Sequence, residues 1–177
     1  MDHKDHVRLL QPAGLTPGGT WADLGAGSGA FTLALRELVG PTAVIYAVDK
    51  DRRALDRLEA DYEDRFGSIG NLHIVHGDIG QPLALPALDG VVMANSLHFH
   101  ADTAGMLAHI AGMLAPAGLL LLVEYNTDFG NQWVPYPLSF NAFQALAVDA
   151  GFETPRLLAT VPSHFLREIY SAAARKQ

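Results

Sequence analysis

The sequence predicts an α/β protein with a Rossmann-like, doubly wound sheet of seven strands in three layers. Five short apolar runs alternate with segments of helical periodicity, which is the pattern of successive parallel β-α units. After Gly151, two β-type runs are separated by residues 162–164 alone, and so short a connection can join only antiparallel strands. We therefore expect five parallel strands followed by an antiparallel pair.

Each predicted parallel strand is short and apolar, and Gly, Pro, Asp or Asn bounds it. The parallel strands cover residues 20–24, 43–48, 72–75, 90–94 and 119–124, and the antiparallel pair covers residues 156–161 and 165–173.

Helices are predicted from apolar residues at helical spacing, together with capping and stop residues. In this prediction Leu114 belongs to the apolar face of the third helix, with Met106, Leu107 and Ile110. Residues 80–86 are too rich in proline for a regular helix, so we expect a loop there. The helices run from residue 30 to 39, from 54 to 66, from the Asp102 cap to Pro116, and from Ser139 to Gly151.

The composition predicts one globular domain over residues 1–177, because the chain is shorter than two ordinary domains require. The formal net charge of −7 and the scattered Lys and Arg favour neither nucleic acid nor a membrane surface as a partner. The absence of cysteine excludes disulfides, thiolate metal sites and cysteine nucleophiles. Without a signal-peptide pattern or a long apolar run, we expect a cytoplasmic protein, monomeric or homodimeric.

A glycine-rich turn, Asp23-Leu24-Gly25-Ala26-Gly27-Ser28-Gly29, joins the first strand to the helix after it. Because glycine has no Cβ and a helix N-terminus presents free N–H groups, such a turn lets a ligand approach the backbone closely. The turn also satisfies a relaxed Gly-x-Gly-x-x-Gly/Ala dinucleotide fingerprint, which leaves NAD(P) open as the ligand. A purely structural tight turn is the other alternative.

Acidic residues stand at the ends of three successive predicted strands. Asp49 lies about 20 residues beyond the turn, where a carboxylate can accept hydrogen bonds from both hydroxyls of a ribose. Asp23, two residues before Gly25, would repel a pyrophosphate but suits the ammonium of a methionine moiety. Asp78 can accept from an adenine amino group while Ile79 packs on the ring. Capping or turn-forming roles stay open for all three aspartates.

The chain resembles the class I S-adenosylmethionine-dependent methyltransferases over almost its whole length. Within that class it is similar to the small-molecule methyltransferases related to the quinone-biosynthesis C-methyltransferases. It departs from the N6-adenine methylases, which have Asn/Asp-Pro-Pro-aromatic where this chain has Asn95-Ser96-Leu97-His98. The resemblance rests on Trp21-Ala22 with the glycine-rich turn, Val48-Asp49, Gly77-Asp78-Ile79, Met93-Ala94 with Asn95-Ser96-Leu97-His98, and Leu114-Ala115-Pro116-Ala117-Gly118.

The resemblance implies S-adenosylmethionine as the cofactor and a small organic molecule as the methyl acceptor. An NAD(P)-dependent oxidoreductase and a non-catalytic S-adenosylmethionine-binding module are the alternatives, and Asp23 disfavours the first. The implied contacts are Asp23, Gly25, Gly27 and Gly29 at the methionine end, Asp49 at the ribose, Asp78 and Ile79 at the adenine, and Asn95 beside the sulfonium. Ala26 and Lys50 complete the predicted cofactor-binding residues.

His98 and His100 are the candidate catalytic residues, since both follow the fourth predicted strand at the expected active-site face. Methyl transfer from a sulfonium can rest on proximity and alignment alone. Where the acceptor must lose a proton, an imidazole that titrates near neutral pH is a suitable base. Two polar histidines at a helix entrance are the alternative. We expect no metal site, because no carboxylate or third histidine stands at a familiar ligand spacing.

Residues 127–138, after the fifth strand, form the predicted acceptor pocket. Loops at the carboxyl ends of strands bind ligands in open α/β sheets, and this loop contains Phe129, Trp133 and Tyr136. A hydrophobic plug over the sheet edge is the alternative. At the N-terminus, His3 and His6 belong to a helix that either closes over the cofactor or stays mobile.

Overall fold

A computed structural model describes residues 1–163 and 165–177, and His164, in the predicted connection between the last two strands, lies outside the described residues. It has the predicted architecture, a seven-stranded sheet with helices on both faces. The strands are β1 (Thr20–Leu24), β2 (Val44–Asp49), β3 (Leu72–His76), β4 (Leu88–Ala94), β5 (Leu114–Tyr125), β6 (Arg156–Pro162) and β7 (Glu168–Arg175). The helices are α1 (His3–Leu10), α2 (Ala30–Val39), α3 (Arg52–Phe66), α4 (Thr103–Met113) and α5 (Phe140–Asp149), with 3₁₀ helices at Gln11–Ala13 and Leu97–Phe99.

The strand order is β3-β2-β1-β4-β5-β7-β6, with β1 to β5 parallel and β7 antiparallel to both of its neighbours. The chain moves outward from β1 to β3 and then returns to β4 on the other side of β1. Such a reversal opens a crevice at the carboxyl ends of the two strands, where open α/β sheets bind their ligands. The topology therefore directs attention to the residues after β1 and β4.

Two apolar layers cover the sheet, one on each face. Because successive strand residues point to opposite faces, Trp21 packs toward α1, α2 and α3, whereas Leu24 packs toward α4 and α5. In the first layer, Leu9 and Leu10 of α1 are fully buried. The His6 ring also lies 4.8 Å from the Phe31 ring, so α1 is packed against α2.

The prediction for Leu114 is wrong, because this residue starts β5 and does not end α4. The helix ends at Met113, and Leu114 has an extended backbone and pairs with Leu88 of β4. Its side chain is only 3% exposed. Since Leu114 is buried in the same apolar layer as the α4 side chains, its hydrophobicity satisfied the helical spacing while the sheet determined its backbone.

The predicted start of the last strand is also wrong, because β7 begins at Glu168 and not at Phe165. The N–H groups of Phe165 and Leu166 donate to Ser163 Oγ at 3.1 and 3.3 Å. Arg167 has a φ of +53°, in the left-handed region that strands do not use. Turn chemistry thus delays a strand that the apolar residues alone predict three positions earlier.

Within residues 1–163 and 165–177, no helix combines the length and the apolar character that crossing a membrane requires.

Candidate cofactor and active site

A cavity of about 290 Å³ lies at the carboxyl ends of β1 and β4. This volume is close to the lower end of the roughly 300–1,000 Å³ usual for small-molecule sites. The structure thus brings six predicted cofactor residues and His100 to one cavity. Its lining consists of Gly25, Asp49, Lys50, Gly77, Asp78, Ile79, Asn95, Ser96, Phe99 and His100.

The glycine-rich turn is tied to the end of β2 by its own backbone. The N–H groups of Gly25 and Ala26 donate to the carbonyl oxygen of Val48 at 2.9 and 3.0 Å, and Gly29 N–H donates to the Ala26 carbonyl at 2.9 Å. Gly27 N–H donates to Asp49 Oδ2 at 2.8 Å. The turn therefore uses these four N–H groups internally, and they are not directed at the cavity.

Gly25 is required by both its conformation and its surroundings. Its φ is +81°, and a Cβ at this position would lie 2.6 Å from Ser96 Cβ. Ser96 is fixed in turn, because its Oγ donates to the Leu24 carbonyl oxygen at 2.9 Å. Only glycine allows the ends of β1 and β4 to approach each other this closely.

Asp49 lines the cavity and does not cap the following helix. Its Oδ1 accepts from Asp51 N–H at 2.8 Å, while Asp51 itself caps α3 by accepting from Arg53 and Ala54 N–H. A carboxylate offers about four acceptor positions. The N–H groups of Gly27 and Asp51 occupy two of these positions, so two stay available for hydroxyl donors such as those of a ribose.

Asp78 and Ile79 form the side of the cavity beyond β3. Asp78 Oδ1 accepts from Gly80 N–H at 2.8 Å in a local turn, and Ile79 is 7% exposed. His100 lines the same cavity. Burial lowers the pKa of its imidazole below the ordinary value, and the nearby Asp78 carboxylate offsets part of this decrease. An adenine between these groups would have the apolar side chain of Ile79 and the Asp78 carboxylate, a hydrogen-bond acceptor, as its neighbours.

Asn95 presents an acceptor that lacks a protein partner among the described residues. Its backbone N–H donates to the Val123 carbonyl oxygen at 2.8 Å, and its φ of +50° is left-handed. The side-chain Oδ1 is enclosed without a hydrogen bond. A buried acceptor without a hydrogen-bond partner costs about 1–3 kcal/mol. This oxygen therefore suits a ligand group that donates a hydrogen bond or is positively polarised. The cavity residues thus fit an S-adenosyl cofactor.

Asp23 does not line this cavity. The alternation of β1 turns it toward α2, where it is 1% exposed and accepts from Thr32 Oγ1 at 2.6 Å. The pKa of Asp23 is raised to about 7, chiefly by burial and also by the Asp49 carboxylate, against the lowering effect of the Thr32 hydrogen bond. Its role at the methionine ammonium stays a prediction.

Unlike His100, His98 does not line the cavity, and its ring is hydrogen-bonded to a carboxylate that the sequence analysis did not include in the site. His98 Nδ1 lies 2.8 Å from Glu124 Oε2, and both residues are buried. The N–H groups of His98 and Tyr125 also donate to this carboxylate, each at 3.2 Å. In the described part of the chain, no three His, Asp or Glu side chains are grouped so as to hold a metal ion.

Residues 127–138 lie over His98 and present aromatic rings to solvent. Tyr136 N–H donates to the His98 carbonyl oxygen at 3.0 Å. Phe129 and Trp133 are 85% and 65% exposed, whereas Val134 between them and Tyr136 is 2% exposed. The loop is therefore anchored by Val134, and its rings do not pack as a plug over the sheet edge.

The sequence over residues 22–120 matches a protein family described as "Methyltransferase domain". The chain belongs to the methyltransferase-domain family. Its membership confirms the family that the glycine-rich turn and the strand-end acids predict, and it does not favour an oxidoreductase.

Known proteins support the same assignment of this methyltransferase-domain protein. It is 26% identical over 118 residues to demethylmenaquinone methyltransferase of Staphylococcus aureus, an alignment that covers 66% of this chain and 47% of that enzyme. The chain thus spans about half the length of the curated relatives it matches.

Solved structures confirm the fold of the methyltransferase-domain protein. The YcgJ protein of Bacillus subtilis superposes with a TM-score of 0.80 at 13% identity, covering 99% of both chains. Magnesium protoporphyrin IX methyltransferase of Synechocystis, solved with bound S-adenosylmethionine, has a TM-score of 0.73 at 17% identity and covers 99% of this chain and 78% of its own.

Sequence reasoning missed Glu124, Ser96 and Phe99 in this methyltransferase-domain protein. Glu124 follows the apolar run 119–123, and a carboxylate at the end of a buried strand was a usable signal. Its partner His98 is 26 residues away, so no spacing could join the two. Ser96 and Phe99 alternate with the predicted residues Asn95, His98 and His100, and only the backbone path decides which of them line the cavity.

Proposed function

We propose that this protein transfers a methyl group from S-adenosylmethionine to a small organic acceptor. The observation that most supports the proposal is the hydrogen bonding of the glycine-rich turn. A pyrophosphate needs free N–H groups at such a turn, whereas here Val48 and Asp49 accept from Gly25, Ala26 and Gly27. With Asp49 and Asp78 also lining the cavity, the site suits a nucleoside without phosphates.

The cavity residues would hold the two ends of the cofactor differently. Asp49 would accept from the ribose hydroxyls, and Asp78 with Ile79 would contact the adenine. Asn95 Oδ1, which lacks a protein partner among the described residues, would face the positively polarised region near the sulfonium. When bound, S-adenosylmethionine supplies an electrophilic methyl group for in-line attack by the acceptor.

The aromatic loop 127–138 supports an acceptor site next to this cavity. Phe99 lines the cavity and is 59% exposed, and Trp133 in the loop is 65% exposed. Apolar rings beside a cavity favour a small organic acceptor, and the net charge of −7 does not favour nucleic acid. We place the protein in the cytoplasm as a monomer or homodimer.

Ligand-induced stabilisation tests the cofactor. A ligand that binds the folded state at 100 times its Kd adds about 2.7 kcal/mol to the free energy of unfolding. We expect a rise in Tm with S-adenosylhomocysteine and none with NAD(H) or NADP(H). Stabilisation by a nicotinamide cofactor alone would reject the proposal.

A non-catalytic binding module is separated from an enzyme by product formation. The protein and S-adenosylmethionine are incubated with pools of phenols, thiols, amines and carbon acids, and S-adenosylhomocysteine is quantified by mass spectrometry. We expect release above that of the Asp49→Asn variant in at least one pool. Cofactor binding without release in any pool would favour the module.

A further inference from the structure

We infer that the cofactor site is open at its adenine end and accepts an S-adenosyl ligand that carries a planar heteroaromatic group on the exocyclic nitrogen of adenine. The added group would occupy a second cavity of about 470 Å³, which is larger than the cofactor cavity of about 290 Å³. The inference rests on the proposed function and extends the class of ligand that the same site binds.

The two cavities share a wall. Phe99 and His100 line both of them. Ile79 lines the cofactor cavity, and the next residue, Gly80, lines the second cavity. Asp78, the proposed acceptor for the adenine amino group, stands immediately before these two residues and also lines the cofactor cavity. An amino group bound to Asp78 would therefore lie where the two cavities meet.

Gly80 leaves a passage between the cavities. A Cβ at this position would lie 3.3 Å from Asp78 Oδ1 and 4.0 Å from His100 Cε1. The first distance is that of a C–H···O contact and the second that of an ordinary van der Waals contact, so a carbon atom fits there. Gly80 is not among the glycines with a left-handed backbone, so its conformation does not require glycine. The missing side chain thus leaves room for a methylene group.

The apolar part of the second cavity suits an aromatic ring. Phe99 in the shared wall is 59% exposed, and Met106 of α4 lines the second cavity and is 7% exposed. Aromatic rings attract one another in offset or edge-to-face arrangements, and a thioether sulfur also favours contact with an aromatic ring. A planar aromatic group in this cavity would have both kinds of neighbour.

His109 adds a polar atom that lacks a partner. It lies on α4 and lines the second cavity, and its Nε2 is enclosed without a hydrogen bond among the described residues. Enclosed side-chain nitrogens in folded proteins nearly always have a partner. Because a neutral imidazole has one donor and one acceptor nitrogen, a ring nitrogen or an N–H group of a ligand can pair with it. The ligand group is therefore heteroaromatic and not a plain hydrocarbon.

The charges around the second cavity disfavour an anionic group such as a phosphate. Asp78 stands where the cavities meet, and Asp102 lines the second cavity, where its Oδ1 caps α4 by accepting from Gly105 N–H at 2.8 Å. Burial lowers the pKa of the His100 imidazole, so this ring is neutral at neutral pH. The residues that line the second cavity include no Lys or Arg. The added group is therefore uncharged or cationic.

Calorimetry with an enlarged ligand tests the passage. The ligand is S-adenosylhomocysteine with a 4-pyridylmethyl group on the exocyclic nitrogen of adenine, which keeps one N–H for Asp78. We expect the wild type to bind it with a Kd within about tenfold of that of S-adenosylhomocysteine, a difference of less than about 1.4 kcal/mol. A larger loss would show a closed wall and overturn the inference. Failure of unmodified S-adenosylhomocysteine to bind would instead reject the proposed function.

Filling the second cavity should separate the two ligands. Ala101 is exposed and lines the second cavity but not the cofactor cavity, so Ala101→Phe adds a ring there without crowding the core. We expect the Kd of the pyridylmethyl ligand to rise by about 10–200-fold, the range of steric discrimination in apolar pockets, while that of S-adenosylhomocysteine is unchanged. Ala104→Phe is the control, because Ala104 is also exposed and lines neither cavity. Equal effects of Ala101→Phe on the two ligands would contradict the inference.

Imidazole NMR locates the added group without any substitution in the site. Two-bond ¹H–¹⁵N spectra of the wild type are recorded with each ligand, and His109→Phe identifies the His109 signals. We expect the pyridylmethyl ligand to shift these signals more than S-adenosylhomocysteine does. His73, which stacks on Tyr46 and lines neither cavity, should respond equally to both ligands. Equal shifts of His109 with the two ligands would place the added group outside the second cavity and overturn the inference.

Discussion

Gly27 N–H donates to Asp49 Oδ2 at 2.8 Å, which joins the turn after β1 to the end of β2. The same carboxylate accepts from Asp51 N–H and lines the cavity. Asp49 therefore holds the turn in shape and at the same time presents a charge to the ligand. A substitution of Asp49 therefore affects both the shape of the turn and the lining of the cavity.

We expect Asp49→Asn to raise the Kd of S-adenosylhomocysteine by about 10–100-fold. Hydrogen bonds to a charged group contribute about 1.5–3 kcal/mol, and about 1.4 kcal/mol corresponds to a tenfold change. Isothermal titration calorimetry measures the effect. Asp51→Asn is the control, because asparagine also caps a helix and Asp51 does not line the cavity. Equal losses in the two variants would argue against ribose binding by Asp49.

Gly25→Ala should weaken both folding and cofactor binding. The new Cβ would lie 2.6 Å from Ser96 Cβ at a backbone φ of +81°. A left-handed alanine costs about 1–2 kcal/mol before any steric clash is counted. Denaturant unfolding and calorimetry with S-adenosylhomocysteine measure the two effects.

Gly67→Ala serves as the control for Gly25→Ala. It has a similar φ of +72°, but nothing lies within 4 Å of its added Cβ. Its free energy of unfolding should fall by a comparable strain energy, while its affinity for S-adenosylhomocysteine stays unchanged. If Gly25→Ala bound this ligand as tightly as the wild type, the close approach of β1 and β4 would not shape the site.

The raised pKa of Asp23 predicts a specific pH dependence of the free energy of unfolding. Its folded pKa of about 7 is above the ordinary 3.8, so its contribution is complete below pH 3.8 and is lost as the pH rises to about 7. The difference of 7 − 3.8, about 3 pKa units, corresponds to roughly 4 kcal/mol. The free energy of unfolding of the wild type minus that of Asp23→Asn should therefore decrease by a few kcal/mol between pH 4 and 7.

Thr32→Val provides the companion measurement for Asp23. It removes the hydroxyl that donates to Asp23 Oδ2 at 2.6 Å and stabilises the charged carboxylate. The pH window should then extend above pH 7. Urea unfolding at pH intervals of one half is sufficient to resolve it. A difference between wild type and Asp23→Asn that does not vary with pH would exclude the raised pKa.

The aromatic loop predicts a separation of stability from turnover. Phe129 and Trp133 are 85% and 65% exposed, so replacing both with alanine should change the free energy of unfolding by no more than about 0.5 kcal/mol each. Cofactor affinity should also persist, while release of S-adenosylhomocysteine with the acceptor pools falls. Val134→Ala, at 2% exposure, should instead destabilise the fold. Normal turnover without the two rings would place the acceptor elsewhere.

Much of the cofactor half could be predicted because its signals are local. Gly29 and Gly40 bound α2 at Ala30–Val39, as expected from the sequence. Asp49 and Asp78 come together since the carboxyl ends of neighbouring parallel strands meet at one edge of the sheet. Here, the order of elements along the chain is enough to determine which residues are neighbours.

The contacts around His98 and Asp23 depend on pairings that no local sequence pattern contains. Glu124 meets His98 only because β4 and β5 are paired and the 3₁₀ helix Leu97–Phe99 turns the imidazole back over the sheet. Asp23 lies on the face of β1 that is turned toward α2, and strand alternation defines such faces only once the helices are placed. Both features follow from three-dimensional packing.

The cavity lining and the aromatic loop come from different parts of the chain. The residues that line the cofactor cavity all precede Ala101, whereas the aromatic loop lies between β5 and α5 and contacts His98 through the backbone N–H of Tyr136. A main-chain contact of this kind does not depend on the side chain that makes it. Under the proposed function, sequence changes within residues 127–138 would diversify the acceptors of descendant proteins while their cofactor cavity is inherited intact.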